Sequence, residues 1–152
     1  MTGKKRVLFV CTANAARSQM AEGYLRARYG GRYEVFSAGT RKAQVSTRAI
    51  TAMKEIGIDI THHRSKTLDE VAGMSFDIAV ILCDRAHQVC PVVQNATTTI
   101  HKGFDDPHLI PGTDEDMLNG YRRVRDEIAS WIDEIFGKKT VKIGSGQIPG
   151  QT

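Results

Sequence analysis

The chain has 152 residues, 21 Lys and Arg against 17 Asp and Glu, and a hydrophobic share of 41%. That length fits one domain with one proper core, and that composition fits a soluble globule. No apolar run approaches the ~18–20 residues of a membrane span, and the apolar run after the basic stretch Met1 to Arg6 is too short for a signal peptide, so a cytoplasmic chain is expected. The charge of +4 sits partly in the terminal runs Lys4-Lys5-Arg6 and Lys138-Lys139. It suits an anionic substrate, and no basic stripe with interleaved aromatics points to nucleic acid. Three cysteines, an odd number, argue for reactive thiols rather than a disulfide framework. His62 and His63 are adjacent and no Cys-x-x-Cys pair occurs, so no metal site is expected.

Lys5 to Val10 reads as a buried parallel strand that runs into Cys11. The small residues Thr12, Ala13, Asn14, Ala15 and Ala16 follow, then Arg17 and Ser18, and a helical pattern starts at Gln19. It runs to Tyr29 with Met20, Ala21, Tyr24, Leu25 and Arg28 on one face, and Gly30-Gly31 stops it. Tyr33 to Ser37 is a second strand, broken by Gly39. Ser46 caps a helix from Thr47 to Ile56 with Ala49, Ile50, Met53 and Ile56 on its face, and Gly57 ends it. Thr67-x-x-Glu70 is a capping box for a short helix.

Phe76 to Leu82 is the next buried strand and delivers Cys83. The polar segment to Asn95 contains Cys90-Pro91, and Thr97 to His101 is a fourth, β-branched strand. A loop from Gly103 to Pro107 leads to Thr113-x-x-Asp116, which caps the longest helix. Its face is Met117, Tyr121, Val124, Ile128, Trp131 or Ile132, and Ile135. Residues 1–136 form the single expected domain, and 137–152 a loose tail rich in glycine, lysine and polar residues. Alternating strands and helices predict an α/β fold, a four-stranded parallel sheet with helices on both faces. Ligands of such sheets sit beyond the strand C-terminal ends, and Cys11, Cys83 and Asp106 all fall just past such ends.

The Cys11 loop leads into a helix N-terminus, which gathers backbone N–H groups and positive partial charge where a tetrahedral oxyanion can sit. Arg17 can close over it with a planar, bidentate donor. A helix N-terminus and a guanidinium are the surroundings that ionise a thiol, and Ser18 can donate to the thiolate. Cys83 and Cys90 read either as unrelated thiols or as a redox pair. Across a helix their Cα atoms would lie ~10.5 Å apart, too far for a disulfide, so pairing needs the segment to loop out. Asp106, held extended before Pro107, can serve as a general acid, with Asp105 a neighbouring candidate. The five histidines show no usable spacing and read as surface or loop residues.

These residues resemble the phosphate loop of low-molecular-weight tyrosine phosphatases, and more closely that of the thioredoxin-coupled arsenate reductases. The likeness runs over roughly residues 5 to 136. It is carried by Cys11-Thr12 with Asn14, by Arg17-Ser18-Gln19-Met20-Ala21-Glu22-Gly23, by Ser37-Ala38-Gly39, and by Leu82-Cys83, Cys90-Pro91 and Gly103 to Pro107. The Cys83 and Cys90 pair is specific to the reductase branch. Gln19 stands where phosphatases usually place a proline, and Ala15-Ala16 where reductases often carry Ser-Cys.

The resemblance implies a mechanism. Arg17 and the loop amides hold arsenate, Cys11 attacks arsenic, and Asp106 assists loss of oxygen as water. Cys83 then attacks Cys11, releasing arsenite, and Cys90 carries the disulfide outward to thioredoxin. It implies no cofactor, and a monomer is the default. Some members bind potassium through residues matching Asn14, Glu22 and Ser37 with an acidic residue. This chain has Lys66 at the acidic position, so its ammonium is expected to take the cation's place. Rival readings are a plain phosphatase using Cys11, Arg17 and Asp106, a phosphocarrier, and a non-enzymatic anion-binding module.

Overall fold

A computed structural model of the chain describes residues 3–83 and 91–137. Four strands, β1 (Lys5–Cys11), β2 (Tyr33–Gly39), β3 (Phe76–Ile81) and β4 (Ala96–His101), form one sheet in the order β2-β1-β3-β4. All three pairings are parallel. Val7 to Val10 are fully buried, as expected of a central strand packed on both faces. The chain leaves β1 toward β2 and leaves β3 toward β4, so the order reverses between β1 and β3. That switch point is where parallel sheets open a crevice.

Helices α1 (Arg17–Tyr29), α2 (Thr47–Lys54) and α3 (Asp114–Phe136) contribute to one hydrophobic cluster with Val7, Phe9 and Cys11 of β1. The opposite face carries a smaller cluster of Leu8, Val10, Ala79, Ile81, Cys83 and Val93 with Val71 of a 3-10 helix, Leu68–Val71. Both faces are therefore covered. The Thr67 and Thr113 capping boxes form as their spacing predicts, and Ser46 caps α2 through the Ala49 N–H. Gly57, with φ +81°, holds the left-handed turn that follows α2.

Several boundaries and faces differ from the sequence reading. Helix α1 begins at Arg17, two residues early, because the loop itself supplies the entry into the helix. Arg28 is exposed and off the buried face, and Leu25 is the last fully buried residue of the helix. Gly39 closes β2 as a paired residue opposite Cys11 rather than breaking it. Helix α2 stops at Lys54, and Ile50 and Ile56 are only partly buried. The predicted tail beyond Gly137 lies outside the described residues. Among the described residues no helix is long and apolar enough to cross a membrane.

Candidate active site

Cys11 ends β1 at the switch point, 2% exposed and a free thiol. Residues 12–16 turn tightly, and α1 starts. Its N-terminus is unlike those of the other two α-helices. Ala16 at the N-cap supplies no side-chain cap and the first turn holds no acidic residue, whereas α3 has a capping box and Asp114, Glu115 and Asp116 in its first turn. The first N–H groups of a helix need partners, and an anion provides them. The end of α1 faces a cleft of about 430 Å³ lined by Cys11, Thr12, Ala13, Ala15, Ala16 and Arg17 among others. Among the described residues, the buried Thr12 hydroxyl that borders it has no protein partner.

The loop is held from behind. Asn14 adopts φ +51°, the left-handed region that asparagine tolerates, and is fully buried. Its side chain donates to Ser18 Oγ at 2.7 Å and accepts from the Lys66 N–H at 2.8 Å. Asn14 thus braces the loop through its side chain, as expected of a loop-supporting residue, and only its backbone is left to face an oxyanion. Ser18 Oγ lies 2.9 Å from Cys11 Sγ. Gly39 permits the close approach of β2: a Cβ there would stand 2.6 Å from the Thr12 carbonyl oxygen and 2.7 Å from the Asn14 nitrogen. Thr12 O in turn accepts from the Thr40 and Arg41 N–H groups.

Arg17 is 2% exposed, donates to Phe104 O at 3.3 Å, and reaches Asp106 Oδ2 at 3.4 Å. Asp106 has the extended backbone imposed by Pro107 and lines the cleft. Asp105 instead pairs with Arg123 at 3.1 Å with a side chain 61% exposed, so the two carboxylates separate into a cleft residue and a surface residue. A second shallow groove, bordered by Asp105, Arg123 and Trp131, lies outside this cleft.

A polar cluster supports the loop. Glu22, inside α1, accepts from Ser37 Oγ, pairs with Arg26 at 2.6 Å and lies 3.8 Å from Lys66 Nζ. Burial raises the Glu22 carboxyl, but the Ser37 hydrogen bond and the Lys66, Arg26 and His63 charges outweigh it and hold the pKa below its ordinary value. Burial pushes the Lys66 ammonium and the His63 imidazole down, partly offset in each by Glu22. Among the described residues no group of three or more His, Cys, Asp or Glu side chains stands ready for a metal ion.

Comparison with known proteins shows the family. The model of the low molecular weight phosphotyrosine protein phosphatase family matches residues 6–142. The chain belongs to that family. Within it, the chain is 45% identical to an arsenate reductase of Halalkalibacterium halodurans over 85% of this chain and 93% of the relative. It is 39% identical to the arsenate reductase of Bacillus subtilis over 86% and 94%. A solved arsenate reductase of Archaeoglobus fulgidus superposes with a TM-score of 0.71 at 31% identity, covering 87% of this chain and 99% of that one.

The second sulfur lies close to the first along the sheet edge but on the other face. Cys83 follows β3 at the same sheet edge as Cys11, as the sequence reading requires. It is fully buried and disulfide-bonded, and it belongs to the hydrophobic cluster of the opposite sheet face. The register explains this. Val10 pairs with Ile81, so Leu82 stands level with Cys11 and Cys83 comes one residue later, with the other facing. Cys90 lies outside the described residues.

Sequence reasoning missed several neighbours of the site. Arg41, Gln44, Arg48, His108 and Tyr121 line the cleft. Ser46, named only as a helix cap, also donates to Tyr121 Oη at 3.0 Å and holds Ala15 O through its own N–H at 2.9 Å. His63, expected at the surface, has a side chain only 4% exposed and bonds to Gln19. No periodic signal marks a histidine that meets a helix 44 residues away.

Proposed function

We propose that this protein reduces arsenate to arsenite at the Cys11 loop, by a thiol relay of Cys11, Cys83 and Cys90 that thioredoxin resets. The observation that carries the reading is a free thiol beneath an uncapped helix N-terminus and a buried arginine, with a second sulfur at the same sheet edge. The named reductases at 39–45% identity support it. The phosphatase reading has weaker support: a solved low molecular weight tyrosine phosphatase matches at 28% identity and a TM-score of 0.63.

Arsenate enters with its oxygens toward the α1 N-terminus, Thr12 and Arg17. The Cys11 thiolate attacks arsenic, an S–As bond forms, and one oxygen leaves as water with a proton from Asp106. The Cys83 thiolate attacks Cys11 sulfur. The S–As bond breaks, its electron pair stays on arsenic, and arsenite departs as the Cys11–Cys83 disulfide forms. Cys90 then attacks Cys83, freeing Cys11, and the dithiol of thioredoxin reduces the Cys83–Cys90 bond. A cycle driven by thioredoxin belongs to a reducing compartment, the cytoplasm. Weak hydrolysis of phosphate monoesters at the same loop accompanies it, because the anion site and general acid serve both.

The test is arsenite release with thioredoxin, its reductase and NADPH as the only electron source. Wild type turns over and Cys11→Ser does not. Wild type that yields no arsenite, or Cys11→Ser that retains turnover, overturns the reading.

A further inference from the structure

The cleft above Cys11 is larger than an inorganic oxyanion needs. At about 430 Å³ it falls within the ~300–1,000 Å³ of pockets that take small organic ligands. The oxyanion takes the end formed by Cys11, the α1 N-terminus and Arg17. The rest of the lining comes mainly from the segment between Arg41 and Arg48, with His108 and Tyr121. Residues 42–46 of that wall are neither helix nor strand, yet the wall is pinned to the anion loop at three points. The Thr40 and Arg41 N–H groups donate to Thr12 O at 2.8 and 3.2 Å, and the Ser46 N–H donates to Ala15 O at 2.9 Å. Between them the Ala43 N–H donates to Ser65 Oγ at 2.9 Å, and Ser65 Oγ donates to Ala13 O at 2.9 Å. A wall so fastened is in place before a ligand arrives, which lowers the cost of binding one.

Its charge is one-sided. Arg41 is exposed and forms no ion pair among the described residues. Arg48 pairs with Asp114 at 3.1 Å, but the Asp114 side chain is 98% exposed, so the pair is weak and leaves the guanidinium available. No acidic residue stands in the first turn of α2. Among the described residues of the lining, Asp106 is the one carboxylate, and it is engaged by Arg17 at 3.4 Å. Two guanidiniums are thus left over once Arg17 serves the oxyanion.

We infer that this wall is a subsite for the organic part of a phosphoryl compound, with Arg41 and Arg48 holding a second anionic group on it. The inference rests on reading the Cys11 loop as an oxyanion site but not on arsenate as the substrate. An inorganic oxyanion leaves the subsite empty. A phosphate monoester that carries a carboxylate or a second phosphoryl group fills both ends, and a guanidinium can take either anion by two parallel hydrogen bonds. Ala43, Val45 and Tyr121 add apolar lining for the part that joins the two anions.

The readout is protection of Cys11 from iodoacetamide in the full chain, quantified on the Cys11 peptide by mass spectrometry, with phosphonates that cannot be hydrolysed. Inorganic phosphate and phenylphosphonate report the anion loop. (4-Carboxyphenyl)phosphonate and 1,4-phenylenediphosphonate add the second anion. In wild type at least one of these two is expected to half-protect at about fivefold lower concentration than phenylphosphonate, and the one that does so identifies the anion taken. Arg41→Gln and Arg48→Gln each shrink that advantage, and the double variant brings it below about 1.5-fold. Arg41→Glu turns it into a penalty, which a general loss of the loop would not do. Lys42→Gln removes the same charge from an exposed neighbour outside the lining and keeps the advantage, which separates a local subsite from attraction by net charge. Equal protection by phenylphosphonate and both two-headed probes overturns the subsite and leaves the anion loop standing. An advantage that Lys42→Gln removes as fully as Arg41→Gln also overturns it. No protection by any of the four compounds removes the anion loop and the subsite with it. Alkylation needs no arsenate turnover, so a failure of the proposed reduction is distinguishable from each of these results.

Discussion

Cys11 and Cys83 sit at the same edge of one sheet and in opposite hydrophobic clusters. The surroundings of the two sulfurs differ as much as their faces. Cys11 ends a central strand paired on both sides, opposite Gly39 of β2, and packs among residues of all three α-helices. Cys83 lies two residues beyond the last β3–β4 pair, Ile81 with His101. Its carbonyl accepts from His101 Nε2 at 3.3 Å, and Leu82 N–H donates to Val10 O at 2.8 Å. Both sulfurs are buried, the first inside a paired strand and the second two residues past the end of its own. A fixed nucleophile suits anion capture, where positions must hold to a fraction of an ångström. In the proposed reaction, a sulfur past the last strand pairing suits a relay, in which it leaves one partner and reaches another.

Removing the second sulfur tests that division of labour most severely. Cys83→Ser is expected to lower steady-state arsenite release at least ~1000-fold, since no thiol remains to break the S–As bond. Hydrolysis of para-nitrophenyl phosphate, which needs only the Cys11 side, should stay within about threefold of wild type. Equal loss of both activities would make the two sulfurs one site rather than two.

Damage to the fixed side should do the reverse. Gly39→Ala forces a Cβ against Thr12 O and Asn14 N. It is expected to cost about 1–3 kcal/mol in urea unfolding and to depress both activities together.

Two smaller effects probe the polar support of the loop. Glu22, whose carboxyl is held below its ordinary value of 4.5, adds stability that is present above that value and is lost as pH falls through the lower folded value. Glu22→Gln should therefore remove part of the acid-side drop in the thermal midpoint below about pH 4.5. With Lys66 Nζ 3.8 Å from Glu22 and donating to Arg64 O at 2.9 Å, potassium in place of sodium at equal ionic strength should change activity by less than about 1.5-fold. A clear potassium stimulation would mean that the ammonium does not take the cation's place.

Much of this site was legible from the chain alone. The apolar run Val7 to Val10 ending in Cys11, the small loop residues and Arg17 fixed a strand, an anion-binding turn and a helix start, because each is a local rule of residue size, period and charge. The Thr67 and Thr113 capping boxes and the extended Asp106 before Pro107 belong to the same class. Register was not legible. Whether Cys83 shares a face with Cys11 depends on a one-residue offset between strands about 70 positions apart, and a period of two turns that offset into the opposite side of the sheet. The partners of His63 and Gln19 were hidden for the same reason. Local sequence sets which groups a segment can offer, and only the closed fold sets which of them meet.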